Sequence, residues 1–463
     1  MGTRGRRQSS VHTGPASAVG MLTVRTVGIL GILGVRTVGI LGVRIRMTAL
    51  RTGRSAGWRV VVVVAVTMAV VALLSTSASA STSPAPKGLP AFYSVPNPLP
   101  STVAGTLIKS QKLAARDLHG TVYRVMYVSK SLQNKAVLVT GLVVVPKMAP
   151  PAGGYKVVTW SHGTNGMADQ CAPSLDPTQD VPLANQLLDQ GWEVTSSDYQ
   201  GEGTPGLMQY LVGVSSARNT IDIVRAAQKL PQAHVSKNYV VWGHSEGGQT
   251  AMFALDIGSS YAPDLKLDGV VAGAPPSQFG LIYNFLLTSP YRFYLFMAAG
   301  GFNAGYGNKA APLPAVLTPE GMRLLPDLEK GCSGYLQRTL DKYPIKSLVK
   351  ANPYDVPAWK LVLQANDPAN FTTPRSAPLL ILQGGNDEQI PVISTQLLAT
   401  HSCSIGQATQ RWIYPGQSHA GVIPVYMPDM IGWINDRFSS NPGAISSYVP
   451  SGEPGVQTSS CAA

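Results

Sequence analysis

Residues 239–251 read YVVWGHSEGGQTA and hold the sharpest chemical signal in the chain, a G-x-S-x-G centred on Ser245. A β-branched run enters this motif and a helical run leaves it. Gly243 and Gly247 let strand and helix approach across a tight turn that holds the serine in a strained backbone conformation. Such a turn lifts Ser245 Oγ to the carboxyl edge of a sheet, beside a helix amino end where negative charge is tolerated. The pattern alone arises by chance in a Gly-rich chain. Its setting between strand and helix makes it a candidate nucleophile rather than a plain structural turn.

A nucleophilic serine needs a base, and the base needs an orienting acid; after a turn of this kind the chain order is Ser, Asp, His. Residues 379–391 (LLILQGGNDEQIP) put Asp387 in a loop just past a strand. Glu388 is the rival, but Asp387 sits closer to the strand end. Residues 411–421 (RWIYPGQSHAG) then supply a strand, a turn and His419. His119 precedes the sheet core, His234 lies in a helix-to-strand link, and His401 follows a helix on the wrong side of its strand. His244, beside the nucleophile, is expected to point its ring away from Oγ. The expected triad is therefore Ser245, Asp387 and His419.

The oxyanion also has to be held. One donor in this design is the backbone N–H of the residue after the serine, here Glu246; the other comes from the loop after an early strand. Residues 156–166 (KVVTWSHGTNG) provide that loop in H-G-x-x-G form. Thr164 is expected to present the second N–H. Gly163 and His162 support the loop, His162 by hydrogen bonding. The plain alternative is a Gly-rich connector.

These groups require elements to position them. Short apolar runs at 138–145, 156–160, 192–196, 239–242, 269–272, 379–382 and 411–414 read as strands, with helical stretches such as 182–188, 219–229 and 249–256 between several of them. Apolar strands alternating with helices argue an α/β fold with a mostly parallel sheet covered on both faces. The alternation stops after Pro275 and resumes near Ala377. The expected organisation is an upstream segment and signal peptide (1–80), the first part of the core with an amino-terminal strap (81–275), a helical cap (276–376), the last part of the core (377–440) and a tail (441–463).

The 463 residues carry 36 Lys+Arg and 24 Asp+Glu, a formal charge of +12. Ten arginines precede residue 60 and no acidic residue precedes Asp117, so the remainder holds 26 basic and 24 acidic groups, or +2. A nucleic-acid groove needs clustered Lys and Arg on the folded domain and is not expected. Val60–Leu74 is an apolar run of 15 residues after Arg51, Arg54 and Arg59, followed by Ala78-Ser79-Ala80. That is the order of a secretory signal, and the run is short of the roughly 20 residues that span a bilayer. Secretion is expected, with cleavage near Ala80, ahead of a membrane anchor. An eight-residue string at 24–31 that recurs at 35–42, a period of eleven, ahead of Met47, suggests that translation starts at Met47.

Four cysteines remain, Cys171, Cys332, Cys403 and Cys461, and in an exported chain four allow three disulfide connectivities. No C-x-x-C or H-E-x-x-H spacing occurs, so no metal is expected.

The chain resembles the secretory lipases of the α/β-hydrolase superfamily from about Pro86 to Arg437. The resemblance is carried by LVVVP at 142–146, SHGTNG with Cys171-Ala172-Pro173 after it, DYQGEGTPG at 198–206, GHSEGG, Gly384–Asp387 and Ser418-His419. It implies an α/β-hydrolase fold with a helical cap insertion, the triad Ser245, Asp387 and His419, and ester hydrolysis without a cofactor. It also implies that Cys171 bridges Cys332, tying the oxyanion-side loop to the cap, which leaves Cys403 and Cys461 to each other. One departure is visible: Glu246 stands where a neutral residue, often Gln, is familiar. A carboxylate there opposes a developing oxyanion unless it is paired or turned outward.

Five of nine phenylalanines (Phe279, Phe285, Phe293, Phe296, Phe302) fall within residues 279–302 of the insertion. Phe279, Phe285, Phe293 and Phe296 are the acyl-pocket candidates, against the plainer role of packing cap helices together. The function expected is hydrolysis of carboxylic esters, a triacylglycerol lipase or long-chain esterase acting on lipid and in transient contact with a lipid interface. The alternatives are a short-chain or plant-wall esterase, a peptidase on the same fold, or a silent binding protein, which the complete triad disfavours.

Overall fold

The computed structural model describes residues 81–462 apart from 179, 180 and 182; the expected signal peptide and the Met47 start lie outside the described residues. Ten strands form one sheet: β1 (Leu107–Leu113), β2 (Gly120–Lys130), β3 (Ala136–Pro146), β4 (Tyr155–Ser161), β5 (Glu193–Ser197), β6 (Val235–His244), β7 (Lys266–Gly273), β8 (Leu379–Gly384), β9 (Thr409–Tyr414) and β10 (Gln457–Cys461). Their spatial order is β10-β9-β8-β7-β6-β4-β5-β3-β2-β1. The stretch from β5 to β9 is parallel, and antiparallel strands flank it on both sides.

Strand parity decides which helices cover each face. Val157, Val241, Val270 and Ile381 face α1 (Gly213–Ala227), α2 (Glu246–Tyr261) and the later helix Val392–Ser404, through Ile221, Met252 and Leu398. The alternate positions Trp160, Trp242, Leu382 and Trp412 pack on Tyr426, Met430 and Trp433 of the last helix, Val422–Arg437. Both faces are covered, so the central strands read as continuous apolar runs instead of alternating ones.

Among the described residues, 276–376 forms helices and turns with no strand: α3 (Phe279–Leu287), α4 (Phe293–Ala310), α5 (Ser333–Leu340), α6 (Pro357–Asn366) and shorter turns between. These bury a core of their own around Met297, Phe302, Leu328, Leu336 and Trp359. Two helices complete the core after it, α7 (Val392–Ser404) and α8 (Val422–Arg437).

One expectation needs correction. The segment 441–463 is more than a tail: β10 adds an antiparallel edge strand to β9, and Cys461 joins Cys403 of α7. Its sequence, QTSSC, has no apolar alternation because an edge strand left largely to solvent does not need it. The lead that begins at Ser81 folds back on itself, with Ser81–Ser83 antiparallel to Val95–Asn97. The second disulfide joins Cys171 to Cys332, so both pairings agree with those implied by the resemblance.

Candidate active site

Ser245 sits between β6 and α2 at φ 59 and ψ −124, a region that costs a side-chain-bearing residue free energy. Packing holds it there. Its N–H donates to Gly273 O at 2.8 Å. A Cβ on Gly243 would lie 2.1 Å from Gly247 O, and one on Gly247 would lie 1.8 Å from Ser161 O. Only glycine permits strand, turn and helix to close this tightly.

His419 lies in the loop between β9 and α8, and its Nδ1 is 2.9 and 2.8 Å from the two carboxylate oxygens of Asp387. Asp387 follows β8 and is held by its own loop: Oδ1 accepts the N–H of Gln389 at 2.9 Å and of Ile390 at 2.8 Å, and Gln383 Nε2 donates to Oδ2 at 3.3 Å. An Nδ1–H directed at this carboxylate leaves Nε2 as the ring's acceptor. The rival acid, Glu388, takes another place: its Oε2 accepts the backbone N–H of His419 at 3.0 Å, and Tyr291 OH donates to its Oε1 at 3.3 Å. Burial pushes Glu388 up, but the His419 N–H, its own backbone N–H and the Gln389 amide together keep the carboxyl below its usual range.

His244 packs beside the proposed base. Its ring centroid lies 4.7 Å from that of His419, and Tyr426 OH is 3.4 Å from its Nδ1. Burial, reinforced by the neighbouring His419, pushes His244 down to about 3, so it stays neutral and supports the base by packing.

The loop at 162–166 rides against the nucleophile: a Cβ on Gly163 would lie 3.3 Å from His244 O and 3.7 Å from Ser245 Cβ. His162 braces it from within the core. Nδ1 is 2.8 Å from Gly163 O, Nε2 is 3.3 Å from Glu202 Oε2, and the ring stacks on Tyr199 at 4.2 Å. The cap holds the loop from the other side, where Ser333 N–H donates to Asn165 O at 2.8 Å beside the Cys171–Cys332 bridge. Thr164 Oγ1 bonds Tyr210 OH at 2.9 Å. Glu246 opens α2, so its N–H belongs to the helix's unpaired amino-terminal donors. The Glu246 side chain is turned inward, not outward. It is 1% exposed, and burial pushes it up to about 8. Glu202, Tyr199 and Tyr210 were not singled out from sequence, although DYQGEGTPG contains the first two; no residue-type pattern marks a bracing carboxylate.

An apolar cavity of about 100 Å³ starts at Ser245 and runs into the cap among Phe279, Ile282, Leu286, Phe302 and Trp359. Of the four phenylalanine candidates only Phe279 lines it. Phe285 is 39% exposed, because it falls on the outer side of α3. Phe293 and Phe296 pack towards Leu340 and Leu348 within the cap. Helical phase separates these rings, which a count of phenylalanines does not register. Among the described residues no cluster of His, Cys, Asp and Glu is arranged to hold a metal ion.

The secretory lipase family model matches residues 174–445. A secreted triacylglycerol lipase of Malassezia globosa is 25% identical over 75% of this chain and 80% of its own length. A Mycobacterium tuberculosis protein named "Probable inactive lipase" is 22% identical over 76% of this chain and 82% of its own. The solved structure of Candida antarctica lipase A in its closed state superposes with a TM-score of 0.62 at 21% identity, covering 75% of this chain and 86% of that one, a likeness of fold. No described helix is long and apolar enough to cross a membrane. Sheet, elbow and family match converge, and the chain belongs to the secretory lipase family, carboxylic ester hydrolases of the α/β-hydrolase fold.

Proposed function

We propose that the protein hydrolyses long-chain carboxylic esters, triacylglycerols among them, outside the cell. His419 takes the Ser245 proton as Oγ attacks the ester carbonyl, and Asp387 orients and stabilises the resulting imidazolium. The N–H groups of Glu246 and Thr164 hold the oxyanion. The alcohol leaves with the proton from His419, and water activated by the same base releases the acid. Export rests on the signal-like residues 60–80 and on the relative named as secreted. The segment 276–376 serves as the cap, and Phe285 and Leu361, exposed on α3 and α6, offer apolar surface for transient contact with lipid.

One observation carries the substrate class: the cavity beginning at Ser245 is walled almost wholly by aliphatic and aromatic side chains of the cap. Each methylene that enters such a cavity contributes about 0.8 kcal/mol. A p-nitrophenyl ester series should therefore gain kcat/KM from acetate through the medium chains, while aminoacyl amides are not turned over. Preference for acetate or for amides would defeat the reading. Ser245→Ala should lose about 10⁴-fold or more in kcat with its thermal midpoint preserved.

A further inference from the structure

We propose that the Glu246 side chain sets the alkaline limit of catalysis: it works as a neutral carboxylic acid, and its ionisation disables the oxyanion site whose N–H the same residue supplies. The inference rests on the ester-hydrolase reading above. Glu246 directly follows the nucleophile and is buried, and neither carboxyl oxygen has a hydrogen-bond partner of normal geometry. The group able to carry positive charge that acts on Glu246 is His162, on the loop after β4, and its Nε2 already faces Glu202, from the loop after β5, at 3.3 Å. Glu202 also acts on Glu246 as a second acid. The remaining titratable groups facing it are the phenols of Tyr199, Tyr210 and, from α4, Tyr294. Burial keeps all three phenols protonated. The Thr164 hydroxyl and the Leu211 backbone N–H lie close enough to favour the ionised form, but less than burial opposes it.

The pocket holds one histidine and two acids, so it cannot pair a negative charge on each carboxyl. Loss of the Glu246 proton leaves an uncompensated negative charge in a water-poor site, next to the position where ester attack creates another. Such a charge raises the barrier most when the oxyanion forms, because the site is preorganised for one negative charge only. This reconciles an acidic residue beside the nucleophile with a working site, since the proton stays on through neutral pH.

The test is kcat/KM for a soluble short-chain triacylglycerol, followed by titrating released acid from about pH 7 to 9.5 with spontaneous hydrolysis subtracted. Wild type should lose roughly tenfold between pH 7 and 9, as expected when one group titrating near 8 must stay protonated. Glu246→Gln and Glu246→Met, each normalised to its own value at pH 7, should stay within about twofold over that range. Whichever variant folds suffices. A flat wild-type profile overturns the proposal without any variant, as does a variant whose fall parallels wild type. Absence of ester hydrolysis at every pH, or hydrolysis surviving Ser245→Ala, would instead count against the reading on which the proposal rests.

Discussion

Asp387 and Glu246 are buried carboxyl groups, one in the loop after β8 and one directly after the nucleophile. Asp387 receives two backbone N–H groups of its own loop, the Gln383 amide and the His419 ring. Glu246 receives no hydrogen bond of normal geometry and shares its pocket with Glu202, and burial lifts it to about 8. Burial disfavours a charged carboxyl that no donor reaches, which is the position of Glu246. The two carboxyls therefore differ in local donor supply: one is clamped by hydrogen bonds and the other is left to burial. The loop after β8 provides that supply; the first turn of α2, whose side chain points back under the oxyanion loop, does not.

Removing the charge from the donor-rich side should have the largest effect. Asp387→Asn should cost about 10³- to 10⁴-fold in kcat, because an amide no longer fixes the Nδ1–H tautomer. Retention of a tenth of the wild-type rate would show that another group orients His419. Next comes the tie between oxyanion loop and cap. Replacing Cys171 and Cys332 together by serine should destabilise the fold by about 2–4 kcal/mol, read by denaturant titration. If Ser333–Asn165 alone fastens the loop, stability will be unchanged.

The donor-poor side should respond in stability. Glu246's folded value lies above its unfolded one, so the native state holds an extra proton between about 4.5 and about 8, and stability falls as pH rises through that window. Glu193 and Asp222 are also raised, the latter to about 6, so wild type carries several such slopes. The comparison that isolates Glu246 is Glu246→Gln against wild type: the variant's relative thermal midpoint should improve from pH 5 to pH 8. Parallel curves would mean that the carboxyl is already ionised in the fold. The smallest effect belongs to Glu388→Gln, which weakens one backbone clamp on His419. It should cost only about three- to tenfold in kcat, about 1 kcal/mol, because the amide oxygen can still accept the N–H and only the charge assistance is lost. A loss matching Asp387→Asn would exchange the two acids' roles.

Much of this was legible before the structure. The seven strands read from apolar runs are all present, because a sheet covered on both faces leaves continuous β-branched stretches. Ser245, Asp387 and His419 were legible because each sits at a strand end, where local motif and position coincide. β1 and β10 were not, since edge strands such as LIKSQKL and QTSSC lack the buried face that writes periodicity into a sequence. The runs at 107–113 and 120–130 also lie next to each other before the first read strand, and GTVYRVMYVSK contained a signal that went unread. The assignment of cap phenylalanines and the inward turn of Glu246 depend on helix phase and on three-dimensional neighbours such as Tyr210 and Glu202, which lie far along the chain.

The central claim is that Ser245 is the nucleophile of a single ester-hydrolysing site. It is tested most directly by stoichiometric labelling with an alkyl fluorophosphonate, mapping the adduct by peptide mass spectrometry while residual activity is followed. One phosphonyl group should be found on Ser245, with activity lost in proportion to its occupancy and no adduct on Ser245→Ala. Full occupancy of Ser245 with hydrolysis intact, or a stoichiometric adduct on another residue, would contradict it.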